Sequence, residues 1–196
     1  ALRGGFWDRA RQWVLLRAAV TTAVGPTLQN HLRALAPDRQ VALLPMGVEM
    51  ERFHPQESVS RAPGRLLFVG RLVPKKGLDL LLTALPPLLA QGKVQELHIV
   101  GDGPERASLE ALAKTIALPI CFHGALPSEM LPEHYGQAEL VVLPFCTAAD
   151  GDAEGLGLTL IEALACGCKV VSGTTPAQAA ISGVPGWWQC DARDPK

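Results

Sequence analysis

The feature that most constrains this chain is a series of short, uninterrupted apolar runs, each stopped by turn residues and separated from the next by a helical pattern. Leu66 to Val69 ends at Gly70, and Leu97 to Val100 ends at Gly101-Asp102-Gly103-Pro104. Ile120 to Phe122, Leu140 to Leu143 and Lys169 to Ser172 follow. Strands covered on both faces read as continuous apolar runs, and strands alternating with helices build a parallel sheet. The expected fold class is therefore α/β: a Rossmann-like parallel sheet with helices on both faces. The intervening helices are expected from Leu78, with Pro86-Pro87 breaking or kinking the first. Another carries the stripe Leu109, Leu112, Ala113 and Ile116. A third covers Ser128 to Ala138, with Pro132 early in it, and a fourth covers Leu158 to Ala165 and stops at Gly167. Ligands of such sheets sit beyond the carboxyl ends of the strands, so the glycine-bearing segments after the runs are where chemistry is expected.

The first part of the chain is thinner in signal. Ala19 to Val24 reads as a short strand ended by Gly25-Pro26, and Thr27 can cap a helix carrying Leu28, Leu32 and Leu35. Val41 to Leu44 is another apolar run, and Met46 to Pro55 has the turn residues of a linker. Phe6 to Arg17 is expected to be helical, with Phe6, Trp7, Ala10, Trp13 and Val14 on one side. Two readings of that stripe stand side by side: a helix lying on a membrane surface to serve a lipid-linked acceptor, or a stripe that packs against protein.

Composition removes several classes. With 196 residues, 48% of them hydrophobic, the chain can build a sizeable core, and a formal net charge of −1 gives no footprint for nucleic acid. No run of about 18 apolar residues is free of charges, and no signal peptide is visible. The five cysteines, Cys121, Cys146, Cys166, Cys168 and Cys190, have neither framework nor zinc spacing. Free thiols in a reducing cytoplasm are the expectation. His31, His54, His98, His123 and His134 are scattered and read as structural or solvated.

Two segments hold residues suited to chemistry. In Glu154-Gly155-Leu156-Gly157-Leu158-Thr159-Leu160-Ile161-Glu162, seven residues separate two glutamates. The first lies in a glycine-bearing loop and the second inside a helix. Backbone N–H groups of Gly155, Leu156, Gly157 and Leu158 would lie at that helix's start, where an anion is favoured. A carboxylate there can also accept hydrogen bonds from sugar hydroxyls. Spacing alone leaves the plainer alternative open, a capping Glu154 and a solvated Glu162. In Phe68-Val69-Gly70-Arg71-Leu72-Val73-Pro74-Lys75-Lys76-Gly77, a strand runs into a loop with three cations. Such cations could neutralise a diphosphate, Arg by forked contacts and Lys as a point charge. An ordinary solvated basic loop is the alternative.

Taken together, these segments resemble the retaining family-four glycosyltransferases of the GT-B fold. Glu154 to Glu162 matches their E-x7-E signature, and Phe68 to Gly77 is similar to their Gly-Arg-Leu…Lys-Gly phosphate loop. Leu97 to Pro104 resembles their strand ending in Gly-Asp-Gly-Pro. Met46-Gly47-Val48 through Phe53-His54-Pro55 resembles their interdomain segment, with Met46 where asparagine is usual. The resemblance implies a domain plan: residues 1–45 as the tail of an acceptor domain, 46–60 as the linker, and 61–196 as the donor-binding domain without its closing helices. It also implies roles. Arg71 and Lys76, after Gly70, would hold the donor diphosphate and stabilise the leaving nucleotide. Glu154 would contact the transferred sugar, Glu162 the ribose hydroxyls, and the amides of Gly155 to Leu158 the sugar or phosphate. The implied activity is retaining transfer of a sugar from a nucleotide diphosphate-sugar to a glycan or lipid-linked acceptor, at the inner face of a membrane or free in the cytoplasm.

Further expectations follow. Asp150-Gly151-Asp152 spells the metal-binding D-x-D of a different glycosyltransferase class, but Arg71 and Lys76 already supply positive charge. No cofactor and no catalytic metal are expected. Arg71 and Lys76 should converge on one pocket, Glu162 should face the same cleft as Glu154, and an open cleft should leave Arg71, Lys76 and Glu154 exposed to water. The competing readings are a non-catalytic nucleotide-sugar binding module, a GT-B nucleotide-sugar epimerase, and a dinucleotide oxidoreductase. The last lacks a G-x-G-x-x-G opening a first βαβ unit.

Overall fold

The computed structural model describes residues 5–175, 178, 181 and 183–194. The chain begins with helix α1 (Phe6–Arg17), strand β1 (Thr22–Ala23), helix α2 (Pro26–Leu35) and strand β2 (Ala42–Leu43). β1 and β2 pair in parallel as a two-stranded sheet of their own.

The main sheet has six strands: β3 (Ala62–Val69), β4 (Glu96–Val100), β5 (Ile120–Gly124), β6 (Ala138–Leu143), β7 (Lys169–Gly173) and β8 (Trp187–Cys190). All pair in parallel, in the order β5-β4-β3-β6-β7-β8. Helices α3 (Leu78–Leu89), α4 (Arg106–Ala113), α5 (Leu131–Gln137) and α6 (Leu158–Ala165) lie between the strands. The order reverses direction between β3 and β6, and the crevice beyond their carboxyl ends is where such sheets take ligands.

Strand β3 explains why the apolar runs are unbroken. Leu67 and Val69 enter one core with Tyr135, Val141, Leu143, Leu160 and Ala163. Leu66 and Phe68 enter a second core on the other face, with Leu78, Leu82, Leu85, Leu97, Ile99 and Leu109. Each such side chain contributes about 1.5–3 kcal/mol by leaving water, so the pattern fixes the sheet in the middle of the layers.

Three expectations change. Helix α3 continues through Pro86 and Pro87 to Leu89. Both prolines lie exposed in its last turn, and burial of Leu82 and Leu85 outweighs the two lost hydrogen bonds. The stretch from Ser128 divides into a 3-10 turn over Ser128–Met130 and α5, and Ala138 already belongs to β6. Strand β8 was not expected at all. It is an edge strand of mostly exposed residues, Trp-Trp-Gln-Cys, so it lacks the apolar signature of the central strands. The stripe residue Ile116 falls beyond the end of α4.

Candidate functional site

The loops at the carboxyl edge are stitched to one another. Gly70 N–H donates to the Val100 carbonyl at 2.9 Å, Leu72 N–H to Asp102 at 3.0 Å, and Cys146 N–H to Lys75 at 3.0 Å. The loop after β3 is thus tied both to the loop after β4 and to the one after β6. Gly77 is required here. It has φ +67°, and a Cβ at this position would lie 2.0 Å from the Pro144 carbonyl oxygen. That approach brings the cationic loop against the end of β6.

Lys76 is the centre of the site. Its Nζ lies 2.8 Å from Glu154 Oε2 and 4.8 Å from the centre of the Phe145 ring. Its aliphatic stem passes 3.5 Å from where a Cβ on Gly70 would stand, an ordinary van der Waals spacing. The lysine and glutamate side chains are only 13% and 15% exposed. The expectation that both would face water is therefore corrected: each shields the other, and Phe145 covers the lysine. Glu154 Oε2 is cut off from water, and the Lys76 ammonium is its charge partner.

Arg71 behaves differently. Its carbonyl accepts from Val73 N–H at 3.0 Å, but the residue is exposed and its guanidinium makes no hydrogen bond or ion pair with a described residue. It follows Gly70 directly, on the same carboxyl edge as Lys76.

Glu162 lies on the second turn of α6, half-buried. Tyr135 Oη donates to its Oε2 at 3.0 Å and lies 3.4 Å from the Thr159 carbonyl. Burial raises the Glu162 carboxyl above its usual value, against the lowering influence of the Tyr135 hydrogen bond and then of the Lys76 charge. Burial likewise raises the Tyr135 hydroxyl well above its usual value, so it remains a donor. The influence of Lys76 on Glu162 and its contact with Glu154 put both glutamates around one cation. Glu162 is thus held rather than solvated.

The glycine loop before α6 is shaped for close approach. Gly157 has φ +77°, and a Cβ there would meet the Phe145 ring at 2.9 Å. The N–H groups of Gly155, Leu156, Gly157 and Leu158 donate to no backbone acceptor among the described residues. Gly155 and Leu158 are exposed. A cleft of about 430 Å³ opens between this loop (Ala153, Glu154, Gly155, Leu156) and Val24, Thr27, Leu28 and His31 of the first segment. A larger hollow of about 910 Å³, between Arg33, Asp38 and Val41, holds none of the site residues and lies on the small two-stranded unit.

The Asp150-Gly151-Asp152 carboxylates are engaged elsewhere. Asp152 pairs with Lys75 at 3.1 Å, and Asp150 Oδ1 accepts the Asp152 N–H at 2.9 Å. In the Gly-Asp-Gly-Pro turn, Asp102 accepts from Gly103 N–H at 2.7 Å and from Arg106 at 2.9 Å, so it braces the turn. All five cysteines are free.

Two participants escaped sequence reading. Tyr135, the chain's single tyrosine, sits 27 residues from Glu162; nothing local links them. Phe145 lies two residues past the apolar run of β6 and reads as core, yet its ring bears Lys76 and Gly157.

A family model described as "Glycosyl transferases group 1" matches residues 63–196. The chain belongs to this family. Among curated relatives, it is 36% identical over 160 residues to the GDP-mannose-dependent alpha-(1-6)-phosphatidylinositol monomannoside mannosyltransferase of Mycolicibacterium smegmatis, covering 75% of this chain and 42% of that protein. It is 36% identical over 148 residues to the amylovoran biosynthesis glycosyltransferase AmsK of Erwinia amylovora, covering 74% and 36%. The chain therefore spans less than half the length of these relatives. Group 1 neighbours and others share the fold. Sucrose-phosphate synthase from Thermosynechococcus elongatus superposes with TM-score 0.77 at 24% identity, over 99% of this chain and 50% of that one. Anabaena HepE, solved with UDP, superposes with TM-score 0.73 at 18% identity, over 94% and 54%. Among the described residues, no helix is long and apolar enough to cross a membrane.

Proposed function

We propose that this chain supplies the donor half of a retaining glycosyltransferase that moves a sugar from a nucleotide diphosphate-sugar to a glycan or lipid-linked acceptor. The observation that carries the reading is the water-shielded Lys76–Glu154 pair beside the glycine loop that opens α6, which sets a cation and a carboxylate acceptor side by side. An ionised carboxylate offers roughly four acceptor sites, so the pair with Lys76 leaves capacity for a further hydrogen bond. A sugar hydroxyl of the donor can supply it.

In this reading Lys76 meets the diphosphate as a point charge and Arg71 swings onto it from solvent as a fork. The cost of ordering Arg71 is deferred until the ligand arrives. The free amides of Gly155 to Leu158 at the start of α6 add fixed partial positive charge on the same side. Charge developing on the leaving diphosphate is then met by groups already in place, which is the main source of stabilisation in such a step. Glu162, aimed by Tyr135, takes the ribose hydroxyls. Glu154 orients the transferred sugar. No divalent metal is needed in this scheme, because three sources of positive charge surround the phosphates.

Residues 1–45 are proposed to belong to the acceptor-side domain, 46–60 to be the linker and 61–196 the donor domain. The cleft of about 430 Å³ between Leu28 and Glu154 is the seam where acceptor and donor would meet. The named substrates of the Mycolicibacterium relative, a GDP-mannose donor and a phosphatidylinositol mannoside, support a lipid-linked acceptor. Calorimetric titration with UDP and GDP, with and without magnesium, tests the scheme. Saturable binding weakened by salt and unchanged by magnesium is expected. Binding that strictly requires magnesium would return the Asp150 and Asp152 carboxylates to the site.

A further inference from the structure

Away from the donor site, three histidines distant in sequence meet. His98 lies on β4, His123 on β5 and His134 on α5. Their candidate ligand nitrogens all lie within 4.8 Å of one another, and all three residues are half-buried. The rings of His98 and His123 are 5.0 Å apart, and those of His123 and His134 are 4.8 Å apart. Chance contact between two histidines is ordinary; three rings from three elements aimed at one point are less so.

The surroundings of His98 sharpen the case. Its Nε2 is 3.2 Å from Glu96 Oε2, and its Nδ1 is 3.0 Å from His123 Nε2. A carboxylate can only accept, so Glu96 fixes the His98 proton on Nε2 and leaves a lone pair on Nδ1. That lone pair points at the other two rings. A carboxylate behind one ring nitrogen, with the other ring nitrogen free, is the arrangement that orients a metal-bound histidine. Glu96 is itself held by Arg65 at 2.6 Å, and Arg65 by Gln137 of α5 at 2.6 Å. Arg65 is thus neutralised by Glu96 rather than left as a bare cation beside the rings.

We propose that His98 Nδ1, His123 Nε2 and a ring nitrogen of His134 bind one zinc-class divalent ion, with its remaining position open to water. Imidazole nitrogens suit zinc, and bonds of about 2.0–2.1 Å in a tetrahedron place neighbouring nitrogens roughly 3.3 Å apart. The His98–His123 spacing is already close to that value. His134 needs a shift of at most about 1.5 Å to reach the same spacing. The ion would staple the outer strands β4 and β5 to α5, one residue from the Tyr135 that aims Glu162. It plays no part in the donor chemistry and leaves the metal-free reading of the diphosphate site intact.

The test is titration of the chain, free of any polyhistidine tag, with zinc and separately with cobalt. One zinc per chain and a rise in unfolding temperature are expected, because a ligand bound only by the folded state stabilises it. Magnesium, which prefers oxygen ligands, should give no rise. Cobalt should show the visible absorption of a four-coordinate nitrogen site. His134→Gln should abolish both signals. Glu96→Gln, which keeps all three rings, should weaken zinc by roughly 10–100-fold. Cys121→Ser should change nothing. The absence of a zinc-induced thermal shift in the unaltered chain would overturn the proposal, as would equal zinc affinity in His134→Gln or loss of binding in Cys121→Ser. None of these readouts involves a nucleotide, so their failure is separate from failure of the donor-site reading.

Discussion

The two sheets of this chain are built on opposite terms. In the six-stranded sheet, Leu67, Phe68, Leu97, Ile99, Val141, Leu143 and Val170 are all nearly or fully buried. In the first segment both strands are two residues long, and α2 buries no residue fully. Trp7, Trp13, Val14, Leu16, Val20, Leu28 and Leu44 stand 41% to 74% exposed. The side chain of Phe6, the first residue of the expected stripe, lies outside the described residues. The lesson is that stability resides in the larger sheet while the site lies on its edge facing the thin segment. Scattered exposed apolar residues are normal, but a run of this density marks a surface suited to cover.

The largest effect that can break this comparison is a core deletion. Leu160→Ala, on a fully buried side chain beneath the site, should cost about 2–5 kcal/mol. Leu28→Ala, at 41% exposure in the thin segment, should stay within about 0.5 kcal/mol. Urea denaturation of both variants provides the contrast, and comparable losses would erase it.

Next in size is Lys76→Ala. Losing a charge-assisted contact to a diphosphate is worth about 1.5–3 kcal/mol, so nucleoside diphosphate affinity should fall roughly 10–100-fold. Arg71→Ala should weaken binding less, because that side chain starts from solvent. A larger loss at Arg71 than at Lys76 would reverse the ranking of the two cations.

A smaller effect separates binding from stability at Glu162. Its carboxyl is raised by burial in the folded state. The folded chain therefore keeps this proton to higher pH than the unfolded chain. The stability linked to it is fully present below the unfolded value and is lost as pH rises through the raised folded value. Glu162→Gln keeps an acceptor for Tyr135 and removes the titration. Denaturation midpoints should then decline less as pH rises above about 4, the unfolded carboxyl's range. Ribonucleotide binding should weaken by about 0.5–1.5 kcal/mol, with no change for analogues lacking the ribose hydroxyls. An unchanged pH dependence would mean that other groups set the slope.

Much of the donor half was legible from residues alone. Leu66 to Val69 and Leu97 to Val100 read as strands because both faces are buried, so no polar residue interrupts them. Strand β8 was not legible, because an edge strand of exposed Trp188, Gln189 and Cys190 carries no such run. Gly70, Lys76, Glu154 and Glu162 were picked out by motif, and Lys76 and Glu154 form one site. Their mutual shielding was not foreseeable, since it depends on Phe145 after β6 and on Gly77 allowing the loop against Pro144. Tyr135 and the three clustered histidines were invisible for the same reason. They meet only through strand order and the crossing of α5, which spacing along a chain does not encode.

The most direct test is amide chemical-shift mapping of the chain titrated with UDP or GDP. The central claim is that the nucleotide sits beyond β3 and β6, at the start of α6. The largest shifts should then fall on Gly70, Arg71, Lys76 and Gly155 to Leu158, with Glu162 and Tyr135 following. Shifts confined to the hollow near Arg33 and Val41, with the Gly155 to Leu158 amides unmoved at saturation, would contradict it.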